Sequence, residues 1–173
     1  MLSGCASDSE EMDGVMSLRS QISSDASCSF KMTVTADYGD AVNSFVLSCV
    51  SDSSQDLKIT VDEPESISGI SFVINCDTGK LVFDDQLLVF ALLADGVISP
   101  VSAPWFFLKA LRSGYITSCG NDNDNIKVCI DDSYKQIPYT LDVWLRNNKP
   151  TFAEIIWEGK RILSMEIYDF EIL

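Results

Sequence analysis

The sequence predicts a mainly β protein of the α+β class, built on one antiparallel sheet of about eleven strands with two helices. Three observations carry that expectation. From Ser29 onward, apolar and polar residues alternate with a period of two, as strands with one buried face do. Gly, Pro, Asn and Asp interrupt the alternation at short intervals, as successive hairpins require. Two segments, near residues 8–23 and 104–112, break it with helical spacing. At 173 residues and 46% hydrophobic composition the chain can bury one sizeable core, and no composition shift marks a second domain.

Residues 1–8 read as a leader remnant and acidic, Ser-rich tether, and residues 9–173 as a single domain. Met12, Val15, Met16 and Ile22 then recur at helical spacing, with Ser7 and Glu10 offering a capping box. In the first strand Phe30, Met32, Val34 and Ala36 alternate with Lys31, Thr33, Thr35 and Asp37. The pattern continues through Phe45, Leu47 and Cys49, then Leu57, Ile59 and Val61, and segments 70–76, 80–84 and 87–93 extend the meander. Pro100 and Pro104 precede Trp105-Phe106-Phe107-Leu108-Lys109-Ala110-Leu111-Arg112, and Gly114 follows, which sets a short helix that is apolar nearly all round. Strands resume at 115–119, 126–131, 139–146, 152–158 and 161–170, joined by turns at 121–125, 147–150 and 158–160.

Strand register also gives the cysteines partners. With Tyr38-Gly39 as a two-residue turn, Cys28 falls opposite Cys49 at a non-hydrogen-bonded position, within disulfide range. Around the run from Gly120 to Asn125, Cys119 likewise falls opposite Cys129, and Cys76 is left over. Each pair is either a disulfide or two small buried hydrophobes.

Charge and composition exclude several function classes. Lys plus Arg is 12 against 26 for Asp plus Glu, a net charge of −14 that repels a polyphosphate backbone, so no nucleic-acid partner is expected. The absence of histidine removes Ser/His and Cys/His catalysis and imidazole metal ligation, and no Cys-x-x-Cys is present. Neither metal nor cofactor is expected. Asp122-Asn123-Asp124 lacks the glycine and closing glutamate of an EF-hand loop and reads as a turn, and Asp84-Asp85 and Asp131-Asp132 read as turn and edge residues. No Gly-x-Ser-x-Gly occurs, so no nucleophile is identified and the chain is expected not to be an enzyme. Lys109, inside the apolar helix, is expected to snorkel to solvent.

The opening Met1-Leu2-Ser3-Gly4-Cys5 resembles a bacterial lipobox, in which the cysteine is cleaved free and diacylated after a signal peptide. That resemblance implies a palmitate-type anchor at Cys5, attachment to the membrane, and an extracytoplasmic location. The order of elements resembles the LolA/LolB-like lipoprotein carriers: Val61-Asp62-Glu63-Pro64 leading to Ile67-Ser68-Gly69-Ile70, the proline-led helix at 104–112, and the ending from Lys149-Pro150-Thr151-Phe152 to Ile172. It implies a half-open, strongly curved sheet that holds the N-terminal and central helices in its concave face. A lipobox on such a fold is similar to the germination lipoproteins of Gram-positive spore formers, which implies an adaptor in cell-envelope or spore-cortex processes. The scarcity of arginine, only Arg19, Arg112, Arg146 and Arg161, departs from the carriers, which use basic residues at the cavity mouth.

The strongest candidate site is the apolar group Phe83, Leu88, Phe90, Leu92, Trp105, Phe106, Phe107, Leu108 and Leu111, which either lines a concave cavity for an acyl chain or is ordinary core. Trp144 and Trp157 are expected to pack within the late strands. The functional expectation is a non-enzymatic adaptor that binds a protein partner, a second copy of itself included, through the sheet and its open edges. The alternative is a carrier of lipid or acyl chains.

Overall fold

The computed structural model describes residues 7–23, 27–39, 42–52, 56–74, 81–82, 93–94, 97–133 and 138–173. Helix α1 (Ser7–Ser23) leads into strands β1 (Cys28–Asp37), β2 (Val42–Ser51), β3 (Leu57–Glu63), β4 (Ser71–Ile74) and β5 (Leu81–Val82). A two-residue pair, β6 (Leu93–Ala94) and β7 (Val97–Ile98), precedes helix α2 (Ala103–Ser113). The chain closes with β8 (Tyr115–Asp122), β9 (Asn125–Asp131), β10 (Thr140–Arg146), β11 (Lys149–Trp157) and β12 (Lys160–Ile172).

One antiparallel sheet runs in the order β5-β4-β3-β2-β1-β12-β11-β10-β9-β8. It consists of two meanders, joined where the first strand pairs with the last. Among the described residues it has nine strands of four or more residues plus the two-residue β5, rather than eleven alike, and it is not closed: β5 and β8 are its edges. The strand expected at 87–93 lies outside the described residues, apart from Leu93 in β6.

Turn chemistry sets the late registers. Asn147-Asn148 and Glu158-Gly159 hold left-handed φ values of 51° and 59°, and 50° and 74°, which lets two-residue loops follow the twist of the strands. Pro150, expected in a turn, sits inside β11 with its side chain buried. In β12, Asp169 takes φ 54° at a bulge opposite Ser29 to Lys31. This extra residue lets Tyr168 face out and Phe170 face in.

The expected cysteine pairings are corrected by two register differences. The β1–β2 connection closes at Asp37 opposite Val42, with Asp37 Oδ1 accepting the Gly39 N–H at 2.9 Å, so it is two residues longer than a Tyr38-Gly39 turn. A slip of two preserves every inward residue but sets Cys28 against Ser51 and Cys49 against Phe30. In the β8–β9 hairpin the loop is Asn123-Asp124, with Asp122 opposite Asn125. Cys119 therefore opposes Val128 and Cys129 opposes Ser118, on opposite faces. None of these four cysteines is in a disulfide.

Alternate residues on one face of the central strands are buried, including Phe30, Met32, Val34, Leu47, Leu57, Ile59, Val143, Ile155, Leu163 and Met165. Both helices pack on that inner face. Helix α1 turns Val15, Leu18 and Ile22 inward together with Glu11, whereas Met16, expected inside, is 47% exposed. Spacing of 11, 15, 18 and 22 follows the 3.6-residue period better than the expected set. Helix α2 carries Pro104 in its first turn and stops at Gly114, whose N–H donates to Ala110 O at 2.8 Å. A Cβ at Gly114 would fall on Ile130 Cγ2 and 2.8 Å from Ala110 O, so close approach to β9, not a left-handed φ, calls for glycine there.

Candidate functional site

The inner-face cluster is built from α2 outward. Trp105, Phe106, Phe107, Leu108 and Leu111 are all buried, as the apolar circumference of the helix requires. Phe107 meets Phe30 edge-on at 5.8 Å, Phe30 stacks on Phe170 at 5.8 Å, and Phe106 contacts Trp105 at 4.8 Å and Tyr139 at 5.1 Å. These contacts join β1, α2, β12 and the residue that leads into β10 as one core. Between α1, α2 and the sheet lies a cavity of about 10 Å³ lined by Val15, Arg19, Leu111, Val128, Ile130, Val143 and Leu145. It has room for about one water and none for an acyl chain. Phe83, Leu88, Phe90 and Leu92, the other half of the expected group, and Cys5 lie outside the described residues.

Lys109 departs from expectation. Its Nζ is 2.8 Å from Asp132 Oδ2 and lies 5.0 Å from the Trp105 ring centre and 5.5 Å from that of Tyr139. The Asp132 side chain is fully buried, so this residue is the partner of a helix cation rather than an edge residue. Tyr139 in turn donates its hydroxyl to Phe106 O at 2.9 Å, which holds its ring beside the ammonium.

Two of the four arginines tie the helices together. Arg19 of α1 donates from Nε to Leu111 O at 2.7 Å and from Nη2 to Ala110 O at 3.5 Å, at the C-terminus of α2. Arg112 of α2 donates from Nε to Ile22 O at 3.0 Å, at the C-terminus of α1, and from Nη2 to Ser51 Oγ at 3.0 Å. Each guanidinium thus donates to carbonyls in the last turn of the other helix and faces the negative end of its dipole. Both of these arginines serve helix ends.

The outer face carries several paired polar groups. Lys127 is 2.7 Å from Asp142 and 4.7 Å from the Trp144 ring centre, and the hydrogen bond to Asp142 raises its pKa. Trp144 donates from Nε1 to Asp122 Oδ2 at 2.7 Å and packs on Phe152 at 5.2 Å. Asp122 is therefore engaged by a tryptophan, in keeping with a turn rather than a calcium loop. Hydroxyls pair across strands: Thr60 with Ser71 at 2.7 Å, Thr33 with Tyr168 at 3.0 Å, and Ser48 donating to Asp62 at 2.6 Å. Burial raises the thiol pKa of Cys28 and, further, that of Cys49, which keeps both protonated and unreactive. At one end of the sheet a surface cleft of about 380 Å³ is lined by Leu18, Gln21, Asn147, Asn148, Lys149, Phe170, Glu171 and Ile172.

No protein-family model matches the sequence, and no curated protein is significantly similar to it. Solved structures do align over most of the chain. An uncharacterized conserved protein from Thermus thermophilus matches with a TM-score of 0.48 and 14% identity, over 95% of this chain and 86% of that one. A LolA superfamily protein from Nitrosomonas europaea matches with a TM-score of 0.44 and 12% identity, over 92% and 93%. MucB of Pseudomonas aeruginosa, solved in complex with MucA, matches with a TM-score of 0.43 and 12% identity, over 94% of this chain and 57% of that one.

Proposed function

We propose that this chain is a non-enzymatic, extracytoplasmic lipoprotein, anchored at Cys5, that acts by binding a protein partner on the outside of its sheet. The observation that supports this reading most is the packing of the inner face. The described part of the expected acyl cavity, from Trp105 to Leu111, is buried core, and the void beneath the helices is about 10 Å³. Among the described residues the helices fill the inner face, which favours recognition at the outer face and the strand edges. In this reading the lipid at Cys5 supplies the membrane attachment.

Native mass spectrometry of the protein purified from the envelope is the test. The expected spectrum shows the polypeptide plus its covalent lipid, unchanged in mass when the protein is denatured. A further mass of acyl-chain size that leaves on denaturation would overturn the adaptor reading in favour of the carrier.

A further inference from the structure

The two edges of the sheet are unlike. At one edge β5 has two described residues, whereas at the other β8 runs from Tyr115 to Asp122 and, among the described residues, pairs with β9 alone. Strand β8 carries no lysine, arginine or proline, residues that commonly protect an edge from further pairing. Its bulge lies between Ile116 and Ser118, so the run from Ser118 to Asp122, about 17 Å long, keeps regular strand geometry. Counting from Asp122 opposite Asn125, Asn121 is a non-hydrogen-bonded residue of the ladder, and its N–H and C=O point away from β9.

The surroundings of this edge are acidic. Tyr115, 67% exposed, lies opposite Asp131, so a phenol ring and a carboxylate are presented together at one end of the strand. The hydroxyl and N–H of Ser133 hold the Asp131 carboxyl below its ordinary pKa, which keeps it charged at neutral pH. At the other end stand Asp122 and the exposed Asp124, with Arg146 donating to Asn125 nearby at 3.2 Å. Lys127, between the two ends, is already held by Asp142. A second copy is a poor occupant. Two-fold antiparallel pairing would bring Asp122 and Asp124 of one chain toward Asp131 of the other, and each chain has a net charge of −14.

We infer that the β8 edge takes an extended cationic segment of another protein as an added strand, with a lysine or arginine side chain laid across Tyr115 toward Asp131, a reading that rests on the adaptor role proposed above. Amide NMR of the isotope-labelled full-length protein, titrated with the peptide Lys-Thr-Val-Thr-Val-Thr-Lys, tests it. Shifts should centre on β8, the Asn121 amide should gain protection from hydrogen exchange, and the same peptide flanked by glutamate should bind about tenfold more weakly. Asp131→Asn should weaken binding of the lysine peptide by about threefold. Gly120→Lys sets a cation on the edge where a Cβ meets nothing within 4 Å, and should abolish binding with the fold intact. Glu166→Lys, a larger change of charge on the exposed side of β12, should retain it. Absence of shifts at β8, or equal loss of binding in both lysine variants, would overturn the inference. Equal binding of the glutamate peptide would overturn the cationic class of the partner. A dimer in the absence of peptide that Gly120→Lys dissolves would give the edge to a second copy instead. An acyl mass in the native spectrum would overturn the adaptor role and leave these β8 results standing, so the two failures are told apart.

Discussion

Arg112 is a residue on which separate parts of the molecule depend, because one side chain joins the end of α1 at Ile22 O to β2 at Ser51 Oγ. Arg112→Ala should destabilise the fold by about 1–3 kcal/mol, read as a lower urea midpoint, since it leaves the carbonyl of Ile22 and the buried Ser51 hydroxyl without this donor. Asp169 offers the opposite case. Its left-handed φ of 54° is one that glycine adopts freely, so Asp169→Gly should stabilise by up to about 1 kcal/mol, the relief of strain outweighing the added freedom of the unfolded chain. An unchanged or lower midpoint would show that the aspartate is not strained there. Lys127 gives a pH dependence with a definite sign. Its folded pKa is raised above the ordinary value of 10.5, first by the hydrogen bond to Asp142, so its stabilising effect is complete below the unfolded pKa and is lost as pH rises through the folded one. Asp142→Asn should accordingly flatten the fall in melting temperature above about pH 10.

At the scale of elements, Gly114 couples helix α2 to strand β9. Gly114→Ala would drive a methyl group into Ile130 and the α2 backbone, and overpacking of that kind costs about 1–3 kcal/mol, measurable by thermal unfolding. What could be read from the sequence at this scale was whatever depended on local period and local chemistry. The alternation of β1 to β3, the proline-to-glycine limits of α2 and the turns at 147–148 and 158–159 all follow from residues close together in the chain. Registers were harder, because one or two residues in a loop decide them: the longer β1–β2 connection and the placing of the β8–β9 loop at Asn123-Asp124 moved all four cysteines away from their expected partners. Long-range polar pairs left no sequence signal. Nothing near Lys109 points to Asp132, 23 residues away, and nothing near Arg19 points to the end of α2, 92 residues away. Of the candidate site, the apolar character of Trp105 to Leu111 was legible, but whether it lined a cavity or filled a core depended on where α1 would lie.

The whole molecule is a sheet whose two halves are far apart in sequence and meet at one ladder. Residues 28–36 of β1 pair with 163–172 of β12, so the N-terminal meander and the C-terminal meander share their innermost strands. The core crosses that seam as well: Phe30 of β1 touches both Phe107 of α2 and Phe170 of β12. Neither meander can bury its inner face without the other, since the helices that cover them are joined to each other and to both halves. Unfolding of the sheet should therefore be a single cooperative step, although Trp144 and Trp157 lie in the C-terminal half and β1 to β4 in the N-terminal one. Tryptophan fluorescence and far-ultraviolet circular dichroism should give coincident urea transitions. Two separated transitions would show that the β1–β12 seam is weaker than the meanders it joins. Replacing Phe30 by Leu should lower the midpoint by both probes equally, because the lost ring contacts belong to the two halves at once.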